Sequence, residues 1–176
     1  QIRFHRAQGQ FGEGKELTSI FFGGGTPNLI HEKYISRIID ALSEAAVIGD
    51  KTEITIECNP DHVSVEKMRL YKSAGVNRVS LGIQSTNIDV LKFIGREHNP
   101  EHVSKARAII DDVGISNVSG DVIYGAAVET VADWTQTLND LMNLELSHIS
   151  AYSLGVEPGT PLGRSVTSGQ KSSCDE

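Results

Sequence analysis

Five short apolar runs, regularly spaced and separated by amphipathic stretches, constrain this chain more than any other feature. They cover residues 17–22, 53–58, 78–83, 117–124 and 148–154. Ile, Val, Phe and Tyr are frequent in them, as in strands buried on both faces. Successive runs begin roughly 25 to 40 residues apart, the span of one βαβ unit. Between them the apolar residues change period. Ile35, Ile38, Ile39, Leu42 and Ala46 share one helical face, and Val65, Met68 and Tyr71 share another. Ser64 is placed to cap that second helix and Gly75 to stop it. Val103, Ala106, Ile110 and Val113 form a third stripe, opened by Asn99-Pro100 and closed by Gly114. Trp134, Leu138, Leu141 and Met142 form a fourth and are expected in the core; Thr130 and Asp133 before it have capping-box spacing. The pattern β-α-β-α-β-α-β-α-β predicts an α/β fold, a parallel sheet with helices packed outside. An open doubly wound sheet and a curved piece of a β/α barrel both satisfy it. No linker or low-complexity segment divides the 176 residues, a length that suits one domain.

Charge excludes some partners. Sixteen basic and 23 acidic side chains leave a net charge of −7. Nucleic acid and anionic lipid both select basic surfaces, so neither is an expected partner. No apolar run is long enough to span a membrane. Residues 1–10 hold no apolar segment of the kind a secretory signal needs. The two cysteines, Cys58 and Cys174, make neither a disulfide framework nor a metal cage, which fits a reducing cytoplasm.

Residues capable of chemistry gather where the runs end. Gly23-Gly24-Gly25-Thr26-Pro27 follows the first, Glu57 and Asn59 end the second, and Gln84 and Ser85 end the third. Asp121 lies near the end of the fourth, and Tyr152 and Ser153 near the end of the fifth. Parallel β/α folds bind ligands at the C-terminal ends of their strands, so these residues should converge on one rim. Each has a plainer reading. The glycines either bring bare backbone close to a ligand or form a flexible turn; no Lys-Ser/Thr follows to make a phosphate loop. Glu57 and Asp121 are carboxylates among apolar neighbours. Either an internal ion pair, with Arg78 or Arg96 for Glu57, or a ligand must compensate their burial. Arg96 is either a fork for a carboxylate or a solvated surface residue. His98 and His102 have metal-ligand spacing but straddle the expected helix start at Asn99-Pro100, which argues against a shared metal. Cys58 reads as a small core residue. Together these residues outline a glycine-lined, acid-bearing pocket, suited to a ligand with an amine, a carboxylate and sugar hydroxyls.

The ordered motifs carry a resemblance. Phe21-Phe22-Gly23-Gly24-Gly25-Thr26-Pro27-Asn28-Leu29, Glu57-Cys58-Asn59-Pro60-Asp61 and residues 74–85 (AGVNRVSLGIQS) are followed by Gly95-Arg96-Glu97-His98. Asp121-Val122-Ile123-Tyr124-Gly125, residues 148–154 (HISAYSL) and Glu157-Pro158-Gly159-Thr160-Pro161-Leu162 complete the set. This series resembles the radical S-adenosylmethionine (SAM) family of oxygen-independent coproporphyrinogen III oxidases, the HemN/HemW family, over residues 18 to 164. Its wording is closer to the heme-chaperone branch (HemW) than to the true dehydrogenases.

The resemblance implies a partial radical SAM (β/α) barrel of about five parallel βα units. Residues 1–164 would form the barrel core (Elp3/HemN-like), with 165–176 a polar tail. Gly24, Gly25 and Thr26 would meet the methionine end of SAM, Arg96 its carboxylate, and Glu57 other polar groups of the same ligand. Gln84 and Asp121 would bond the ribose, and Gly155 would stand near the adenosyl wall. The implied partners are SAM, heme or a porphyrinogen substrate, and an electron donor. A [4Fe–4S] cluster would belong to the intact protein only, and heme is a further candidate ligand.

Two departures stand out. The family's C-x-x-x-C-x-x-C motif should precede the glycine strand, yet no cysteine precedes Cys58. Three thiolates normally hold the cluster. Residues 125–130 read GAAVET where the family has GLPGQT. The first departure, together with Gln1 as first residue, predicts an N-terminally truncated chain that does not cleave SAM by itself.

Overall fold

The computed structural model describes residues 16–172; Cys174 and the ends of the chain lie outside them. The described residues hold five strands: β1 Ser19–Phe22, β2 Glu53–Cys58, β3 Arg78–Gln84, β4 Asn117–Tyr124 and β5 His148–Ser153. The helices are α1 Lys33–Ser43, α2 Val65–Ser73, α3 Ile88–Phe93, α4 Pro100–Val113, α5 Val131–Asn143 and α6 Pro161–Thr167. All strand pairs are parallel and the order is β1-β2-β3-β4-β5. A doubly wound sheet reverses direction at a switch point; this one never does. Right-handed crossovers that all step the same way leave the helices on one face of the sheet. The architecture is therefore a partial α/β barrel, and the open doubly wound alternative is set aside.

Period-two alternation then separates two environments. Ile54, Ile56, Val79, Leu81, Val118 and Val122 point to the helices and pack on Ile35, Met68, Tyr71, Val103 and Ile110. The opposite, inner face carries Thr55 and Glu57 of β2, Ser80 and Gly82 of β3, and Ser119 and Asp121 of β4, in matching register. Burial on both faces holds at the centres of these three strands. It fails at β1 and β5, which lie at the sheet edges and are largely exposed.

The expected caps form. Ser64 Oγ accepts from Lys67 N (3.3 Å), Asn99 Oδ1 from Glu101 N (3.0 Å), and Thr130 and Asp133 bond reciprocally as a capping box. Some stripe residues are not core. Met142 is 73% exposed, and Ile38 and Val65 are also exposed. Trp134 is half-buried, its ring 5.6 Å from that of Tyr124. Two helices, α3 and α6, were not expected, and α6 runs across the boundary drawn at residue 164.

Candidate functional site

A cleft of about 280 Å³ opens at the C-terminal ends of the strands. The turn after β1 forms one wall. Gly24 and Gly25 have φ of +86° and +63°, and open space lies where their side chains would stand. This conformation suits glycine and leaves the backbone bare. Gly24 N–H donates to Glu57 Oε2 at 3.0 Å, tying the turn to the end of β2. Fully buried Asn28 reinforces the tie. Its Nδ2 donates to Asn59 O and its Oδ1 accepts from Asn59 N, both at 3.0 Å. Lys67 Nζ donates to Asn28 O at 2.8 Å.

The end of β3 is strained. Gln84 has φ +65°, and Ser85 N donates to Ile83 O at 2.8 Å, closing a γ-turn of the uncommon hand. Such turns persist only where their surroundings fix them. Here His98, 2% exposed, bonds the same Ile83 carbonyl through Nε2 at 2.9 Å. That bond assigns the proton to Nε2. On the other side Thr86 Oγ1 donates to Asp140 Oδ2 (2.6 Å), and Asn87 Nδ2 donates to Asp133 Oδ1 (2.8 Å). The register between β3 and β4 slips at this point. The Gln84 amide folds over Gly82, and a Cβ at Gly82 would lie 3.1 Å from Gln84 Nε2.

Asp121 of β4 accepts from Ser80 Oγ at 2.8 Å. Neither carboxylate is compensated by an arginine. Arg78 pairs with Glu53 at 3.3 Å, and among the described residues the Arg96 guanidinium has no ion pair. Arg96 instead stands exposed on the rim and lines the cleft. Ile123 and Tyr152 supply its apolar side.

Cys58 and the two closely spaced histidines are taken up by burial and hydrogen bonds. Cys58 is a core residue, its thiol pushed up to about 12 by burial. His102 Nδ1 lies 2.6 Å from Asp61 Oδ1, while His98 faces Ile83, so the two do not form a metal pair. Among the described residues no cluster of three metal-ligating side chains occurs.

Six predicted residues, Gly25, Thr26, Glu57, Gln84, Arg96 and Asp121, line one cleft, and Gly24 adjoins it through its bond to Glu57. Gly155 does not line it. It follows the exposed edge strand β5 and borders a neighbouring cleft of about 460 Å³ with Phe93, Leu154 and Leu162. The two clefts share Arg96 and Ile123. Sequence reading missed Gly82, Ile123 and the Asn28 clamp as parts of the site. The first two were reachable by alternation, two residues from Gln84 and Asp121 respectively. The clamp was not, because it joins residues 31 positions apart. The cleft offers a cation, two carboxylates, an amide and backbone groups. It can recognise a zwitterionic amino-acid head joined to a hydroxyl-bearing group.

Comparison with known proteins agrees with this geometry. Residues 6–141 match the Radical SAM superfamily. The chain is 36% identical over 160 residues to radical S-adenosyl methionine domain-containing protein 1, mitochondrial, of Danio rerio, covering 89% of this chain and 35% of that protein. It is 36% identical over 146 residues to the heme chaperone HemW of Bacillus subtilis (strain 168), covering 82% of this chain and 38% of that one. The solved structure of coproporphyrinogen III oxidase (HemN) from Escherichia coli, a Radical SAM enzyme, superposes with a TM-score of 0.75 at 26% identity, over 81% of this chain and 33% of that one. The chain thus spans little more than a third of these relatives. Strand order, the glycine turn after β1 and the polar rim are consistent with the match over residues 6–141, which shows that the chain belongs to the radical SAM superfamily.

Proposed function

We propose that this chain is the SAM-binding part of a HemW-like heme chaperone, a protein of porphyrin and heme metabolism. One observation supports the reading: six residues from five separate segments meet in one cleft, and together they offer a cation, two carboxylates, an amide and backbone groups to a ligand. Arg96 holds the carboxylate as a fork. The backbone of Gly24, Gly25 and Thr26 receives the amino-acid head, and Glu57 accepts from its ammonium. Gln84 and Asp121 bond the ribose hydroxyls, and Ile123 and Tyr152 exclude water. When bound, SAM supplies a sulfonium whose carbon–sulfur bond can be broken reductively.

The superfamily also implies a [4Fe–4S] cluster, and this chain's residues do not fit one. Cys58 is buried with a raised pKa, and a cluster needs three thiolates at an accessible rim. The residues of this chain therefore bind SAM and do not reduce it.

Among the ligands, heme is favoured over coproporphyrinogen III because the relatives matched in sequence include the heme chaperones HemW of Bacillus subtilis, 36% identical, and of Escherichia coli, 31% identical. The dehydrogenase that turns propionates into vinyls is the alternative. The cytoplasmic setting drawn from cysteine usage belongs to the same proposal. Among the described residues no helix is long and apolar enough to cross a membrane.

Calorimetric titration of the purified chain with SAM tests the proposal. Saturable binding that weakens at least tenfold in Arg96→Ala is expected, with no 5′-deoxyadenosine formed after iron–sulfide reconstitution and reduction. Binding unchanged in that variant would overturn the cleft assignment, and 5′-deoxyadenosine would overturn the division of labour. Stable hemin uptake, followed by absorbance, separates the chaperone reading from the dehydrogenase reading.

A further inference from the structure

The inner face of the sheet carries a line of hydrogen bonds with one direction. Arg78 Nη2 donates to Ser119 Oγ at 3.1 Å, Ser119 Oγ to Ser80 Oγ at 2.9 Å, and Ser80 Oγ to Asp121 Oδ2 at 2.8 Å. The ends fix the sense, since a guanidinium only donates and a carboxylate only accepts. Ser80 and Ser119 are buried in the middle of adjacent strands, directly opposite each other in register. Valine or alanine would suit such positions at no desolvation cost. A fully satisfied hydroxyl line fixes geometry that an apolar pair cannot. It starts from Arg78, itself held by Glu53 near the entry of β2, and finishes at the cleft. Asp121 Oδ1 accepts no hydrogen bond among the described residues, so the line engages one carboxylate oxygen and leaves the other for a ligand.

We infer that Ser80, backed by Ser119 and Arg78, is a positioning residue that sets the orientation of Asp121 toward the ribose hydroxyls of the ligand. This rests on the reading of Asp121 as a SAM contact. The line acts by aiming one lone pair and touches no ligand itself.

SAM affinity of the full chain, measured by calorimetry in a double-mutant cycle, tests it. Ser80→Ala should weaken SAM binding about tenfold, Ser119→Ala less, and Ser80→Thr should restore it by keeping the hydroxyl. In an Asp121→Ala background Ser80→Ala should cost nothing further. Thermal melts identify any variant that fails to fold, and Ser119→Ala carries the test if Ser80→Ala does. Equal losses in both backgrounds, or no rescue by Thr, would overturn the positioning role and leave a structural one. If Asp121→Ala weakens binding while Ser80→Ala does not, the positioning role falls and the cleft assignment stands. If Asp121→Ala has no effect, or the unsubstituted chain binds no SAM, both fall together.

Discussion

His98 is harder to protonate in the folded chain than in the unfolded one. Burial lowers its pKa below the ordinary 6.5, outweighing the opposing pull of the Ile83 carbonyl and of Asp61; Arg96 and His102 nearby push the same way as burial. The unfolded chain therefore binds a proton more readily. Stability is fully present above about pH 6.5 and falls as the pH drops from there toward the lowered folded value. Melting temperature measured from pH 7.5 to 5 should decline across that window, and His98→Gln should flatten the decline. A second residue shows the opposite economy. Gln84 bears left-handed backbone strain of about 1 kcal/mol or more. Gln84→Gly relieves it while adding chain entropy to the unfolded state. Denaturant unfolding should find the variant within about 1 kcal/mol of wild type, although SAM titration should find its affinity reduced several-fold. Neither residue's state was readable from sequence. Both depend on bonds between distant residues, His98 to Ile83 and Thr86 and Asn87 to α5, and no local pattern encodes them.

Elements were legible in proportion to what they bury. The centres of β2, β3 and β4 are buried on both faces, with apolar residues turned to the helices and small or polar ones to the inner face. Leu81→Ala should cost about 2–5 kcal/mol in chemical denaturation, whereas Met142→Ala on the exposed side of α5 should fall within about 0.5 kcal/mol. Met142 misled because a stripe on a helix says which face is apolar, not how far the sheet extends to cover it. α3 was too short, at six residues, for any period to emerge, though Asn87 caps it through Asp89 N at 2.8 Å. α6 is polar, yet Thr160-Pro161 is a legible start, with Gly163 N donating to Thr160 Oγ1 at 3.0 Å. The capping box of α5 was legible because its chemistry is local. Hydrogen bonds from Thr130 hold the Asp133 carboxyl below its usual range. Thr130→Ala should lower stability by about 1 kcal/mol, read from the shift in denaturation midpoint. Asp133 also bonds Asn87, so the same change should loosen the segment after β3, detectable as faster amide exchange at Thr86 and Asn87.

At the scale of the molecule the sheet is polar inside, apolar outside and, among the described residues, open at both edges. Sequence alternation revealed the strands but left barrel and doubly wound orders equally open, because strand order is decided by which direction each crossover takes. β1 and β5 present unpaired ladder groups among the described residues, and Ile149, Tyr152 and Phe21 are exposed on them. Exposed apolar edges favour strand-to-strand association. Sedimentation of the isolated chain should show self-association rising with concentration, reduced by Ile149→Lys.

Among the described residues every strand after β1 also pairs with the strand that precedes it in the chain. No loop longer than one crossover, roughly 25 to 40 residues, has to close before two strands can meet. Contact order is therefore kept low for a parallel sheet. A ribosome delivering the chain from its N-terminus therefore releases each strand after β1 just after the partner it needs.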